Sequence, residues 1–470
     1  MKRHPLFFAL AAALGLAVAS PTVAAATSKQ SEAKTLHALI DKQQQQLDQQ
    51  QQELQALRDS LAKLEGAQVQ QQAQLQAQAS APPPPAAAKT LPTFSSAPGV
   101  SVSLDGFISA TAFSQSRSFT FGNGQNAEFP VPGAAGRLSG VDVRNTRFWL
   151  DFKGAKFTDN WSGGGHIEMD FFGGFNGNGP YSQQQPMPRL RQAYMELDNV
   201  STGSTVKLGQ QWDLMFPLDN VPASLAHIAF PLGFSTGFVG WRFPGAVWMQ
   251  DLNHGSAGAK WRLDLAAFEG SWNGPGDNIN YLTAGNAGFR PQVEARLHVQ
   301  DKDWLGYASV LYSKVDLRGV GGTAPTPVKS GVTSEGIQVG GNWHPGPWMF
   351  RANAYTGRGL GQIFGGLVQF GDIKETGGFL QAGYKFTPNW SANAFYGFSK
   401  SNTKDVIAWL GRGSVGRLKN RQTALNLQYS AGAYDIGIEW MYDTLDSTTT
   451  GLDRKRTSGN QVSLSALYHF

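Results

Sequence analysis

The last ten residues constrain this chain more than any other stretch. Val462, Leu464, Ala466, Tyr468 and Phe470 share one face of a strand, while Gln461, Ser463, Ser465 and His469 share the other; Leu467 is the one apolar residue on the second face. Period-two alternation that runs to an aromatic final residue needs oil on one side and water on the other. A soluble sheet edge this long and two-faced would be a template for aggregation, whereas a barrel removes its edge by closing. The expected fold is therefore all-β: a transmembrane antiparallel β-barrel whose Phe470 is the signal read by the barrel-assembly machinery.

The amino terminus reads as a signal peptide over residues 1–26. Lys2, Arg3 and His4 precede an apolar run from Leu6 to Ala19, with small residues around Ala24, Ala25 and Ala26 for cleavage. The chain has no cysteine, which excludes a lipoprotein anchor, a disulfide framework and a thiolate site. Beyond the signal no run reaches the length of a transmembrane helix. Yet the chain carries 56 glycines, 13 tryptophans and 29 phenylalanines, a mixture suited to a barrel with interfacial aromatic girdles. The net charge of +5 falls to +3 once Lys2 and Arg3 are removed, so nucleic acid is not an expected partner. No cofactor or metal is expected.

Composition divides the remainder. Residues 28–80 are rich in glutamine and alanine, with no aromatic residue. Ile40, Leu47, Leu54, Leu61, Gln68 and Leu75 recur every seven residues, and Leu36, Gln43, Gln50, Leu57 and Leu64 form a second, offset series. This seam predicts a periplasmic coiled-coil helix, a stalk of roughly 70 Å at about 1.5 Å per residue, which could reach peptidoglycan. The competing reading is glutamine-rich low complexity without structure. Residues 81–99 open on Pro82-Pro83-Pro84-Pro85 and predict a stiff extended linker.

Residues 100–470 hold about sixteen strand candidates, at 102–113, 144–153, 161–172, 189–197, 205–211, 238–248, 260–269, 290–300, 304–314, 336–343, 348–356, 379–386, 390–399, 422–430, 434–442 and 461–470. Their connections alternate between tight turns such as 301–303 and 387–389 and long glycine-rich segments such as 114–140 and 400–420. That is the barrel pattern of short periplasmic turns and long outer loops. Trp161, Trp304, Trp348, Trp390 and Tyr434 each follow a tight turn, and five aromatics at one structural offset predict a membrane girdle.

Alternation also assigns the lumen. Ile167 and Met169 point outward, leaving His166, Glu168 and Asp170 inside; Trp261, Leu263 and Leu265 leave Lys260, Arg262 and Asp264 inside; Val293, Ala295 and Leu297 leave Gln292, Glu294, Arg296 and His298 inside. Arg147, Lys207, Arg351, Asp435 and Glu439 are inward by the same parity. A charge turned to lipid would cost about 2–4 kcal/mol for Arg or Lys at the midplane, so this separation predicts a water-filled lumen. The segment from Trp212 to Phe234 is long, apolar and punctuated by Pro217, Pro222 and Pro231. It predicts a constriction loop whose Asp213, Asp219 and His227 face basic wall residues, or else an outer lid or subunit contact. His166, Glu168 and Asp170 could together bind a cation weakly, but no nucleophile motif supports an enzyme.

The arrangement resembles the DcaP-like trimeric porins of the outer membrane: signal peptide, periplasmic coil, proline-rich linker, sixteen strands and a terminal phenylalanine. Arg189-Leu190-Arg191-Gln192-Ala193-Tyr194 and Leu208-Gly209-Gln210-Gln211-Trp212 carry the local likeness. The resemblance implies a homotrimer set among outer-membrane lipid and lipopolysaccharide, and passive diffusion of small anionic solutes such as dicarboxylates. Phosphate-selective porins share the layout and come second, since no compact arginine ladder is legible. A tether that uses the coil, with the barrel as anchor, is the alternative from another class.

Overall fold

The computed structural model describes residues 55, 93–97, 99–174, 186–269, 291–318 and 325–470. The signal peptide, the coiled coil and most of the linker lie outside the described residues. Among those described, one sheet contains β1 (Thr93–Ala97), β2 (Val100–Phe119), β3 (Pro130–Asp142), β4 (Arg147–Lys156), β5 (Ser162–Asp170) and β6 (Arg189–Asn199). It continues through β7 (Ser204–Trp212), β8 (Arg242–Asp251), β9 (Lys260–Glu269), β10 (Pro291–Gln300), β11 (Trp304–Asp316) and β12 (Gly331–Trp343). The last six are β13 (Trp348–Arg358), β14 (Lys374–Lys385), β15 (Trp390–Ser401), β16 (Arg417–Ala431), β17 (Tyr434–Ser447) and β18 (Lys455–His469). All pairings are antiparallel between neighbours, and β18 returns to pair with β2, so the sheet closes.

The wall has sixteen strands because β1 only flanks the first residues of β2 and because β3 and β4 act as one. Both run beside β2, with Asp142 opposite Thr111 and Arg147 opposite Phe107. Residues 142 and 147 are five apart and their partners four apart, so the join is a bulge. This corrects the expectation of a loop over 114–140: the last six residues of β2 and most of β3 lie in that stretch. Its sequence is polar and glycine-rich on both faces, so alternation did not reveal it. Several other strands also run further towards the long-loop end than expected, for the same reason. Where a wall rises past the apolar belt, no oil-facing side remains to mark it. β1 pairs with the start of β2, so the end of the expected linker is sheet.

The outer face carries an apolar belt including Ile167, Leu297, Ile337, Leu380, Leu425 and Leu464, all exposed. At the short-turn end Trp304, Trp348, Trp390 and Tyr434 are exposed at the starts of their strands. All four stand opposite an aromatic in the ladder: Trp304 with Trp343, and Trp348 with Tyr384, Trp390 with Tyr429 and Tyr434 with Tyr468, the last three at centroid separations of 4.7, 5.0 and 5.0 Å. Trp161 immediately precedes β5, is partly buried, and accepts hydrogen bonds from the Phe157 and Thr158 amides.

Closure depends on a close approach. The Phe470 amide donates to the Gly106 carbonyl at 3.1 Å, and the Gly106 amide donates back to Phe470 at 3.3 Å. A β-carbon on Gly106 would lie 2.5 Å from the Arg147 carbonyl oxygen and 2.8 Å from the Phe470 ring. Only glycine lets three chain segments meet there. Gly106→Val should therefore sharply reduce the fraction of protein that runs as a compact band in unheated gels, whereas Gly346→Val should leave it unchanged. At Gly346 an added β-carbon meets nothing within 4 Å, although its positive φ adds local strain.

Candidate functional site

The connection between β7 and β8 folds into the barrel, which decides the alternative left open by its sequence. Phe230, Leu232, Phe234 and Phe238 are buried against Phe379, Phe395, Ala424 and Met441, inward residues of β14 to β17. The loop's backbone is tied to polar wall residues as it passes. Leu214 N–H donates to Glu294, Gln338 donates to the Met215 carbonyl, and Arg351 donates to the Val221 carbonyl at 2.6 Å. Ala223 N–H donates to Gln381, and Gly233 N–H to Gln422. Asn145, in the bulge between β3 and β4, receives the far end through Ala226 and Ala229. The loop thus packs on an apolar patch of β14 to β17 and, through Leu214, Met215 and Val239, on a second one that includes Phe243, Val247, Ala266 and Phe268 of β8 and β9. Paired arginines and carboxylates gather on the wall from β4 to β10.

That wall holds an arginine cluster. β6 carries a bulge opposite Glu168 and Met169, so Arg191 and Gln192 both turn inward. Arg191 donates to Glu168 through Nε and to Asp170 through Nη1 at 2.8 Å. Arg189 grips the same Asp170 in bidentate fashion, at 3.0 and 2.7 Å. Arg147 stands opposite Asp170 in the ladder, and its guanidinium lies over Phe107. Arg242 stacks on Trp212 and Trp241, at 4.7 and 4.4 Å from the ring centroids. Nε and Nη2 of Arg147 and Nη1 of Arg242 are buried with no hydrogen-bond partner. Four guanidinium groups therefore share two carboxylates, with two cations in excess and three donor atoms unspent.

Two cavities flank this cluster. One of about 310 Å³ is lined by Glu168, Lys207, Trp212, Asp219, Arg262 and Arg296 among others. The second, about 660 Å³, lies at the long-loop rim and includes Arg189, Trp241 and Arg242. Arg242 lines one cavity and Trp212 the other, so at this point they are one stacked pair apart.

The other expected lumen residues divide. Asp264 is buried between Arg262 and Arg296, at 2.7 and 3.0 Å. Lys207 pairs with Glu196 at 2.8 Å and lies over the Tyr194 ring. Lys260 is exposed in the short-turn rim and donates to the Ser256 carbonyl at 2.5 Å, so it does not line the lumen as parity implied. Of the three loop residues expected to face basic wall groups, Asp213 and Asp219 line the smaller cavity with Arg262 and Arg296, and Asp219 sits 3.7 Å from His298. Asp213 also accepts from the Phe216 and Trp241 amides and staples the loop's two ends. His227 lies across the barrel, paired with Glu439 of β17 at 2.6 Å. Short polar side chains in a buried loop satisfy nearby backbone first, which parity cannot register. His166 pairs with Asp151 at 2.7 Å while Glu168 and Asp170 are held by arginines, so the three do not converge on one point.

Sequence reasoning missed Arg189, Arg191 and Arg242 as site residues, and it overlooked their compactness. The Arg189-Leu190-Arg191 spacing was a signal, since its outer residues share a face. Arg242 had none, because its partners arrive from β6 and from the end of β7.

No family model matches the chain, and no curated protein sequence matches it either. Solved structures do. The outer-membrane channel DcaP of Acinetobacter baumannii superposes with a TM-score of 0.61 at 19% identity, covering 81% of this chain and 100% of that one. The anion-selective porin from Comamonas acidovorans gives a TM-score of 0.51 at 12% identity, covering 79% and 100%. The fold is the porin barrel. Within it, the inward loop between β7 and β8 is held chiefly by its phenylalanines. Phe234→Ala should cost about 3–5 kcal/mol of that docking and raise single-channel conductance, with barrel formation in unheated gels unchanged.

Proposed function

We propose that the protein is a passive outer-membrane channel for small hydrophilic anions, dicarboxylates among them. The observation that carries this reading is the arginine cluster, where two cations exceed the available carboxylates beside the open cavities. An anion in the adjoining cavities passes beside this surplus of guanidinium charge, the group best suited to carboxylate and phosphate oxygens. The trapped Glu168 and Asp170 keep the cluster from binding too tightly, which conduction requires. Phosphate remains the nearest competitor, since the arginines are more compact than their sequence spacing suggested.

In this reading the short-turn end faces the periplasm, and β2 begins at that end. The barrel is one subunit of a homotrimer. Strands β5 to β8 span 9 to 11 residues, whereas β11 to β18 span 11 to 15, so one side of the wall is low. A low wall suits the side turned to neighbouring subunits, and the tall wall the side turned to lipid.

The test is the zero-current potential of the purified protein in planar bilayers under a KCl gradient. An anion-selective potential, with conductance lost in three equal steps, is the expected result; a cation-selective potential would reject the reading. A unit charge about 4 Å from a passing ion is worth about 1 kcal/mol even at the dielectric of water. Replacing Arg147 and Arg242 by glutamine should therefore lower the anion-to-cation permeability ratio by about fivefold for each arginine. Succinate should block the chloride current more strongly than inorganic phosphate does.

A further inference from the structure

The tall wall carries a second cluster of charge that the channel does not use, because it points outward. On β14, Lys374 shares the face of exposed Leu380; on β15, Lys400 shares that of Tyr396; on β16, Lys419 and Arg421 share that of Leu425. Arg358 of β13 and Arg456 of β18 extend the row by the same parity. These six cations stand just beyond the apolar belt at the long-loop end. The carboxylates near this row are Glu335, paired with Arg358 at 3.0 Å, Asp372, held by Lys329 and 4.0 Å from Arg358, Asp405, which accepts from the Lys374 amide, and Asp446, held by Arg421 and Arg456. Among the described residues, none pairs with the ammonium of Lys374, Lys400 or Lys419.

The ladder makes this arrangement costly. Arg358 stands directly opposite Lys374, and Lys400 directly opposite Lys419. Like charges at directly opposed positions destabilise an antiparallel pair. Glu335 and Asp372 offset Arg358, which leaves the opposed Lys400 and Lys419 without a carboxylate partner among the described residues and open to an anion.

Beneath the cations lies an apolar groove of about 570 Å³, lined by Ile337, Val339, Ala354, Leu380, Tyr396 and Phe398. Above it is a polar cavity of about 400 Å³ that includes Arg358, Lys374 and Lys400. The two are continuous, since Thr356 and Thr376 line both. The Lys419 ammonium lies 5.8 Å from the centroid of Phe398, which ties the charged row to the groove wall.

We propose that this surface binds the phosphorylated glycolipid of the outer leaflet, lipid A. Its phosphate groups sit among Lys374, Lys400 and Lys419, and an acyl chain lies in the groove below. The charge complementarity and the vertical order, cations above a furrow of chain width, select a phospholipid-like amphiphile over a free anion or a protein. The inference rests on the outer-membrane reading above, but its test does not depend on ion selectivity.

The experiment is native mass spectrometry of the full-length protein in detergent, titrated with lipid A and with lipid A stripped of its phosphates. A basic residue near an anionic lipid surface contributes about 1 kcal/mol, so Lys400→Gln with Lys419→Gln should weaken lipid A binding about fivefold for each lysine. The stripped lipid should bind the unaltered protein no better than lipid A binds the double variant. Ala354→Trp, which fills the groove and leaves every charge in place, should also weaken binding; Lys302→Gln in a short turn should not. All variants should keep the wild-type zero-current potential, which separates this inference from the channel reading. Equal lipid A affinity in the wild type and the double variant would overturn the proposal. So would a change in subunit number with lipid affinity intact, which would mark the face as a contact between copies of the chain.

Discussion

Everything in this molecule depends on the last strand finding the first. An open sheet sixteen strands wide would leave two rows of unpaired amides and carbonyls, which no hydrocarbon can solvate. The exchange of hydrogen bonds between Phe470 and Gly106 completes the ring at one end, and the ladder from His469 opposite Phe107 to Gln461 opposite Gln115 carries it along the wall. Once closed, the wall needs no core of its own. Its outer side chains meet lipid and its inner ones meet water or a loop.

The interior is organised by a second and weaker preference. Phenylalanines on β14 and β15 point inward, where a purely water-filled barrel would place polar groups. They supply a dry patch, and the long connection between β7 and β8 covers it with phenylalanines of its own. The same loop packs Leu214, Met215 and Val239 against Phe243, Val247, Ala266 and Phe268 of β8 and β9, while the arginines gather around Glu168 and Asp170 of β5.

The strand count, the inward and outward faces and the short-turn girdle were legible because lipid imposes period two on every strand that crosses it. The girdle shows the limit of that legibility. Trp348, Trp390 and Tyr434 could be placed at strand starts, but their partners Tyr384, Tyr429 and Tyr468 depend on register between strands. The same limit explains the charged groups. Parity put Arg147, Glu168, Asp170, Arg262, Asp264 and Arg296 inside, and they are inside. Parity failed for Lys260, which has a turn carbonyl within reach. It had no purchase on Asp213 and His227, which sit in a loop without period.

By itself, then, the sequence determined a closed, two-faced antiparallel barrel whose charges within the apolar belt turn inward, since burial of apolar surface acts on each strand separately and leaves its mark residue by residue. Only the tertiary structure decided which charges meet. The bulge that turns Arg191 inward, the stacking of Arg242 on Trp212, the pairing of His227 with Glu439 and the opposed lysines of β15 and β16 all join residues from different strands. Their distances are set by register, bulges and the path of one loop. Those are properties of the closed ring, and no single strand contains them.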